Sequence, residues 1–249
     1  MGIQSIPEHE LARLREKAKE ISGSQFDYQS SYTELLSRRL NGEPLQYIEE
    51  YVPFYSIQIN VDQRCLIPRP ETEYMIEIIK NNIDTPKKIL DVGTGTGCIA
   101  LMMKKLFPES EVHAVDISND ALSLAKENAE INNLEVNFYQ SDLLSNVETL
   151  DFDLIVANLP YIPTSTLSTL NKEVIDHEPL IALDGGEDGR LYIDKLLNDL
   201  KNIDSKELVL VLEVDTSHAE SLLSSFTDWE DVKLEKDLVE RDRYIVARK

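Results

Sequence analysis

Beyond about residue 72 the chain alternates short apolar runs with longer stretches in which apolar residues return every three or four positions. The first pattern marks buried strands and the second amphipathic helices. "TEYMIEIIKNNI" reads as a helix, and seven strand-like segments follow it: "KKILDVG", "EVHAVD", "VNFYQSD", "FDLIVAN", "ELVLVLEVD", "WEDVKLEKDL" and "RDRYIVARK". Helical patterns over "CIALMMKKLF", "DALSLAKENAEIN", "GRLYIDKLLNDLK" and "SHAESLLSSFT" lie between them. Strands separated by helices of this length imply β-α-β units, and so an α/β fold with a mostly parallel sheet covered on both faces.

The first part of the chain is patterned differently. Residues 7–21 and 28–40 carry apolar positions at helical spacing, and "NGEP" at 41–44 stops the second helix. Residues 51–67 alternate apolar and polar with β-branched enrichment, which predicts a hairpin. The expected organisation is a small N-terminal helical appendage over 1–47, a β-hairpin linker over 48–71 and the α/β domain over 72–249.

Composition narrows the function classes. With 42% hydrophobic residues and no long apolar run the chain reads as globular, with no transmembrane helix. Its N-terminal stretch mixes both charge signs and has no apolar signal core, so a cytoplasmic location is expected. Two cysteines, Cys65 and Cys98, are too few for a disulfide framework, and four scattered histidines offer no zinc-ligand spacing, so no metal is expected. Acidic residues outnumber basic ones 46 to 25, giving a net charge of −21. A surface of that sign repels nucleic-acid phosphates and steers basic protein partners.

Two segments carry candidate chemistry. "LDVGTGTGCIAL" places Gly93, Gly95 and Gly97 between an apolar strand and a helix, where a glycine turn lets backbone approach a ligand. The spacing is neither GxGxxG nor a phosphate loop ending in GK[ST], because Cys98 occupies the next position. Asp91 precedes the turn, and Asp116 ends the following strand, a position suited to accept hydrogen bonds from two ribose hydroxyls. In "DLIVANLPYIP" a buried strand empties into Asn158, Leu159, Pro160 and Tyr161, which a plain turn does not require. An amide or aromatic amino nitrogen attacking a methyl group gains positive charge. The Asn158 side-chain oxygen and the Leu159 carbonyl can accept its N–H groups. Pro160 fixes the turn, and the Tyr161 ring can stack on a planar group.

The glycine turn with its acidic strand ends resembles the S-adenosylmethionine site of class I methyltransferases, which implies a Rossmann-like, seven-stranded, mostly parallel sheet. By that resemblance Asp91, Gly93, Thr94, Gly95, Thr96 and Gly97 hold the methionine portion, Asp116 and Ile117 the ribose, and Asp142 and Leu143 the adenine, with Asn158 nearby. The [N/D/S]-[P/L]-P-[Y/F] pattern is shared by enzymes acting on adenine N6, cytosine N4 and protein glutamine N5, so "NLPY" alone leaves RNA, DNA and protein open. "IPRPETE" at 67–73, "HEPLIALDGGEDGRLYID" at 177–194 and the ending "RDRYIVAR" are similar to the HemK/PrmC family, the glutamine-N5 methyltransferases of peptide chain release factors. The likeness covers roughly residues 42–249. It implies methyl transfer from S-adenosyl-L-methionine to the glutamine of a Gly-Gly-Gln loop in a class I release factor, with S-adenosyl-L-homocysteine as product. It also implies that Asn158, Leu159 and Pro160 bind the amide, Phe54 and Tyr161 flank it, and Arg69 and Glu71 shape the mouth. Leu159 stands where the family usually has a proline, but the role belongs to its carbonyl. The competing readings are an RNA or DNA amino-methyltransferase, disfavoured by the charge, and a non-catalytic S-adenosylmethionine-binding subunit, which has no need of Asn158 and Tyr161.

Overall fold

A computed structural model describes residues 6–149, 151–201 and 207–249. Residues 1–5, the beginning of the N-terminal stretch read above, lie outside that set. Helices α1 (Glu8–Ile21), α2 (Gln25–Leu40) and α3 (Leu45–Glu49) precede a hairpin of β1 (Tyr51–Phe54) and β2 (Ile57–Asn60). The α/β part follows as α4 (Pro70–Asn82), β3 (Lys88–Val92), α5 (Cys98–Leu106), β4 (Glu111–Asp116), α6 (Asn119–Asn132), β5 (Asn137–Gln140) and β6 (Leu154–Ala157). It is completed by α7 (Lys172–His177), α8 (Leu191–Leu200), β7 (Val209–Glu213), α9 (Ala219–Leu222), β8 (Asp231–Lys236) and β9 (Asp242–Arg248).

Strands β3 to β9 form one seven-stranded sheet in the order β5-β4-β3-β6-β7-β9-β8. All neighbours are parallel except β9, which runs antiparallel to both β7 and β8. The chain steps outward from β3 through β4 to β5, then crosses back to place β6 on the other side of β3. Strand order therefore reverses between β3 and β6, and ligands of open α/β sheets bind beyond the carboxyl ends of the strands at such a point.

The strands are buried on both faces, as parallel strands under helices must be. Ile89, Val112, Leu154, Val156 and Val211 point into one apolar layer with Met75, Ile76 and Ile79 of α4 and Leu101 and Met102 of α5. Their neighbours Leu90, Val115, Ile155, Leu210 and Leu212 point into the other, with Leu196 and Leu200 of α8 and Leu222 of α9. Each such buried side chain stabilises the fold by about 1.5–3 kcal/mol, so these two layers hold the sheet rigid beneath its loops.

The helical segment has its own small core of Leu14, Ala18, Leu35, Leu45 and Ile48. Helix α2 begins three positions before the sequence expectation because the Ser24 hydroxyl caps it, accepting from the Asp27 N–H at 3.2 Å. Arg39 bridges this segment to the main body, donating to Glu10 on α1 (2.6 Å) and to Glu173 on α7 (3.0 Å). The hairpin does not stand apart: Val52, Phe54, Ile57 and Ile59 share the apolar layer of α4 and α5. Among the described residues no helix is long and apolar enough to cross a membrane.

Candidate active site

Register alone gathers the site. Val92 pairs with Ala157 and Val115, so Gly93, Asn158 and Asp116 leave three adjacent strands at one edge. Asp116 pairs with Gln140, which sets Asp142 just beyond the next strand end. One cleft is lined by Gly93 to Thr96, Asp116, Ile117, Asp142, Leu143, Asn158, Leu159 and Pro160 from these ends, with Arg69 and Thr72 closing one side.

All three glycines of the turn adopt left-handed backbone, with φ of 73°, 54° and 82° at Gly93, Gly95 and Gly97. A Cβ on Gly93 would come within 2.9 Å of the Leu159 side chain, and one on Gly97 within 3.1 Å of Ala125 on α6. One on Gly95 would meet nothing within 4 Å, since that face opens onto the cleft. Asp91 lies behind the turn and does not line the cleft. Its Oδ2 accepts from the Thr94 hydroxyl (2.7 Å) and the Ala100 N–H (3.1 Å), bracing the loop against α5. Burial pushes the Asp91 carboxyl up to about 7, partly opposed by those two hydrogen bonds. Gly97 likewise sits behind the lining, at the start of α5.

Asp116 spans the same turn from the other side. Its two oxygens accept from the Gly95 and Ser118 N–H groups, each at 2.9 Å, and burial raises its pKa. Ile117 beside it is 47% exposed, an apolar flank on the cleft wall. Asp142 is paired with Lys195 of α8 at 2.6 Å, and Leu143 adopts φ 50°, a conformation that side chains other than glycine rarely take outside functional loops. Cys98 is buried and its thiol is pushed up to about 12, so it stays protonated and packs.

Asn158 donates through Nδ2 to the Thr72 hydroxyl at 3.0 Å, and Thr72 donates to Glu213 Oε2 at 2.9 Å. The Asn158 side-chain oxygen and the Leu159 carbonyl accept no hydrogen bond among the described residues, and both residues line the cleft. Tyr161 is turned away from the lining. Its hydroxyl donates to Glu213 Oε1 at 3.2 Å, and the Arg243 guanidinium lies 6.0 Å from its ring centre. Burial beside Glu213 raises the phenol's pKa.

The mouth differs from expectation at three residues, the first being Tyr161, which lies outside the lining and faces Glu213 instead of flanking the cleft. Phe54 is 0% exposed in the core shared by the hairpin and α4, and a ring with no accessible surface cannot flank an incoming side chain. That corrects the role assigned to it. Glu71 faces Arg241 at 3.2 Å outside the cleft lining, whereas Arg69 does line it and donates to the buried Glu178 at 2.5 Å. Glu178 also accepts from the Ile67 N–H at 3.0 Å, clamping the "IPRP" loop to the "HEPL" loop. Thr72, Glu178, Lys195 and Glu213 were not singled out in the sequence. For Glu213 a signal existed, because a lone acid at the end of the apolar run "LVLVLE" is unusual.

Known proteins share both sequence and fold with this chain. Residues 70–187 match the methyltransferase small domain family. The release factor glutamine methyltransferase of Koribacter versatilis is 38% identical over 226 residues, 90% of this chain and 81% of the relative. That of Lactococcus lactis is 37% identical over 87% of this chain and 81% of its own length. Among solved structures, the E. cuniculi Mtq2–Trm112 complex responsible for the methylation of eRF1 translation termination factor superimposes with a TM-score of 0.55 at 22% identity, over 75% of this chain and 99% of that one. At that identity the likeness shows the class I methyltransferase fold. With identities well above 30% over most of both chains, this protein belongs to the release factor glutamine methyltransferase family.

Proposed function

We propose that this chain binds S-adenosyl-L-methionine in the cleft and methylates the side-chain amide nitrogen of a glutamine, that of the Gly-Gly-Gln loop of a class I release factor, acting in the cytoplasm. The observation that carries the reading is the pair of unengaged acceptors, the Asn158 side-chain oxygen and the Leu159 carbonyl, at the switch point beside the glycine turn.

The residues present fit the cofactor. Gly95 leaves open space where a side chain would otherwise stand, and Asp116 keeps acceptor capacity toward the cleft for ribose hydroxyls. Ile117 and Leu143 offer apolar surface, and Asp142 an acceptor, for a purine. When bound, S-adenosyl-L-methionine supplies a methyl group activated by its sulfonium.

A glutamine amide nitrogen is a poor nucleophile because its lone pair is delocalised into the carbonyl. As it takes the methyl carbon it becomes positive and its N–H bonds more polar. Two fixed acceptors then bind the transition state more tightly than the ground state, each contributing about 2.7–4 kcal/mol. The displaced amide proton leaves to water, and no charged base has to touch it. Leu159 serves as well as proline, since its carbonyl is the part used and its side chain fills the space above Gly93. The helices α1 to α3, tied to α7 by the Arg39–Glu173 ion pair, are assigned in this reading to recognition of the release factor's body.

The test is transfer of labelled methyl from S-adenosyl-L-methionine to a release factor, to its Gln→Ala loop variant, and to total RNA as competing acceptor. Label in the intact release factor alone is expected, and label in RNA but not protein would refute the reading.

A further inference from the structure

Glu213 lies behind the cleft lining and is 1% exposed, and charged residues are rarely so buried without partners. It ends β7 as Asn158 follows β6, and the pairing of Ala157 with Leu212 makes the two neighbours. Its oxygens receive the Thr72 hydroxyl at 2.9 Å and the Tyr161 hydroxyl at 3.2 Å, while Thr72 accepts Asn158 Nδ2 at 3.0 Å. An ionised carboxylate only accepts hydrogen bonds. Thr72 must therefore spend its proton on Glu213 and offer a lone pair to Asn158, which presents its NH2 group to Thr72 and its oxygen to the cleft. A protonated Glu213 permits the reverse. The carboxyl then donates to Thr72, Thr72 donates to the amide oxygen, and the turned-over amide confronts a substrate N–H with its own N–H.

The geometry points to Thr72 and Glu213 as positioning residues that set which end of the Asn158 amide faces the substrate. The consequence for turnover rests on the glutamine reading above, while the orientation of Asn158 does not. Glu213 is poised to switch, because burial pushes its carboxyl up to about 7. The Thr72 hydrogen bond, Arg243 and Tyr161 favour the charged form, and Glu71 opposes it. Tyr244 of β9, paired with Glu213 in the sheet, and the Cys98 thiol also face it.

The test follows the 15N–1H signals of the Asn158 side-chain amide in the protein without substrate, assigned by their loss in Asn158→Ala. They are expected to titrate with a midpoint near 7 in the wild type and in Thr72→Ser, and not in Glu213→Gln or Thr72→Val. In methyl transfer, Thr72→Val should lower kcat about 10–100-fold, with cofactor Kd changed less than about 2-fold, because an undirected acceptor harms the transition state alone. Thr72→Ser should retain most of the rate, and the acid limb of the wild-type kcat profile should vanish in Glu213→Gln. Amide signals that ignore pH in the wild type overturn the inference, and so does a Glu213→Gln enzyme that keeps the wild-type acid limb. Titrating amide signals without methyl transfer to glutamine uphold the relay and refute the substrate reading. Should Glu213→Gln fail to fold, the wild-type titration and the Thr72 pair decide.

Discussion

Gly95→Ala and Gly93→Ala separate cofactor contact from loop strain. Both positions hold left-handed backbone, which costs an L-residue about 1–2 kcal/mol. At Gly95 nothing else is added, since the new Cβ has no neighbour within 4 Å. For a chain of this size that loss lowers Tm by about 2–8 °C. At Gly93 the Cβ stands 2.9 Å from the buried Leu159 side chain, and overpacking there adds about 1–3 kcal/mol. In the cleft the order reverses. The methyl at 95 occupies space assigned to the cofactor and should weaken its binding at least about 10-fold, or 1.4 kcal/mol. The methyl at 93 points away toward Leu159 and should act on turnover by shifting Asn158 and the Leu159 carbonyl. Calorimetric titration with S-adenosyl-L-homocysteine and thermal melts of both variants test this. Wild-type affinity in Gly95→Ala would refute the placement of the cofactor, and equal loss of stability in the two would refute the close packing of Leu159 on Gly93.

Asn158→Ala should cut kcat about 10²–10³-fold while changing cofactor Kd less than about 2-fold, as single-turnover rates and titration calorimetry would measure. Asp116→Ala should do the reverse, raising Kd strongly, and should also destabilise the turn by about 1–3 kcal/mol because the Gly95 and Ser118 N–H groups lose their acceptor. Asp91→Asn should change the pH dependence of stability. The carboxyl sits at about 7 in the fold against an ordinary 3.8, so the folded protein holds a proton that the unfolded chain releases. The cost of ionising it is absent below about pH 4 and grows as pH rises to about 7, reaching at most about 4 kcal/mol. Asparagine keeps the acceptor used by Thr94 and Ala100, so urea unfolding should show the variant gaining on the wild type through that window. A constant difference between the two would contradict the assignment.

What the sequence made legible depended on the range of the interactions. Short apolar runs and helical spacing located all seven strands of the sheet and the long helices, because burial on two faces writes itself locally. Helix α3, five residues after Pro44, is too short to show a period, and the segment from Thr164 through α7 to Ala182 is held by turns and the Arg39–Glu173 contact. The glycine turn, Asp116 and Asn158 were legible because each is a short motif at a strand end. Thr72 and Glu213 meet across 141 positions of sequence, a proximity that only the sheet order creates. Phe54 shows the opposite failure. The family resemblance carried a substrate role to it, and nothing in the local sequence says that its ring packs in the core shared by the hairpin and α4.

The central claim is that the acceptor is a glutamine amide. Fragment mass spectrometry of a class I release factor after incubation with the protein and S-adenosyl-L-methionine addresses it most directly. The account predicts the mass of one methyl group on the glutamine of the Gly-Gly-Gln loop, and none when Asn158 is alanine. A methyl group on another residue, or an unmodified release factor alongside methylated RNA, would contradict it.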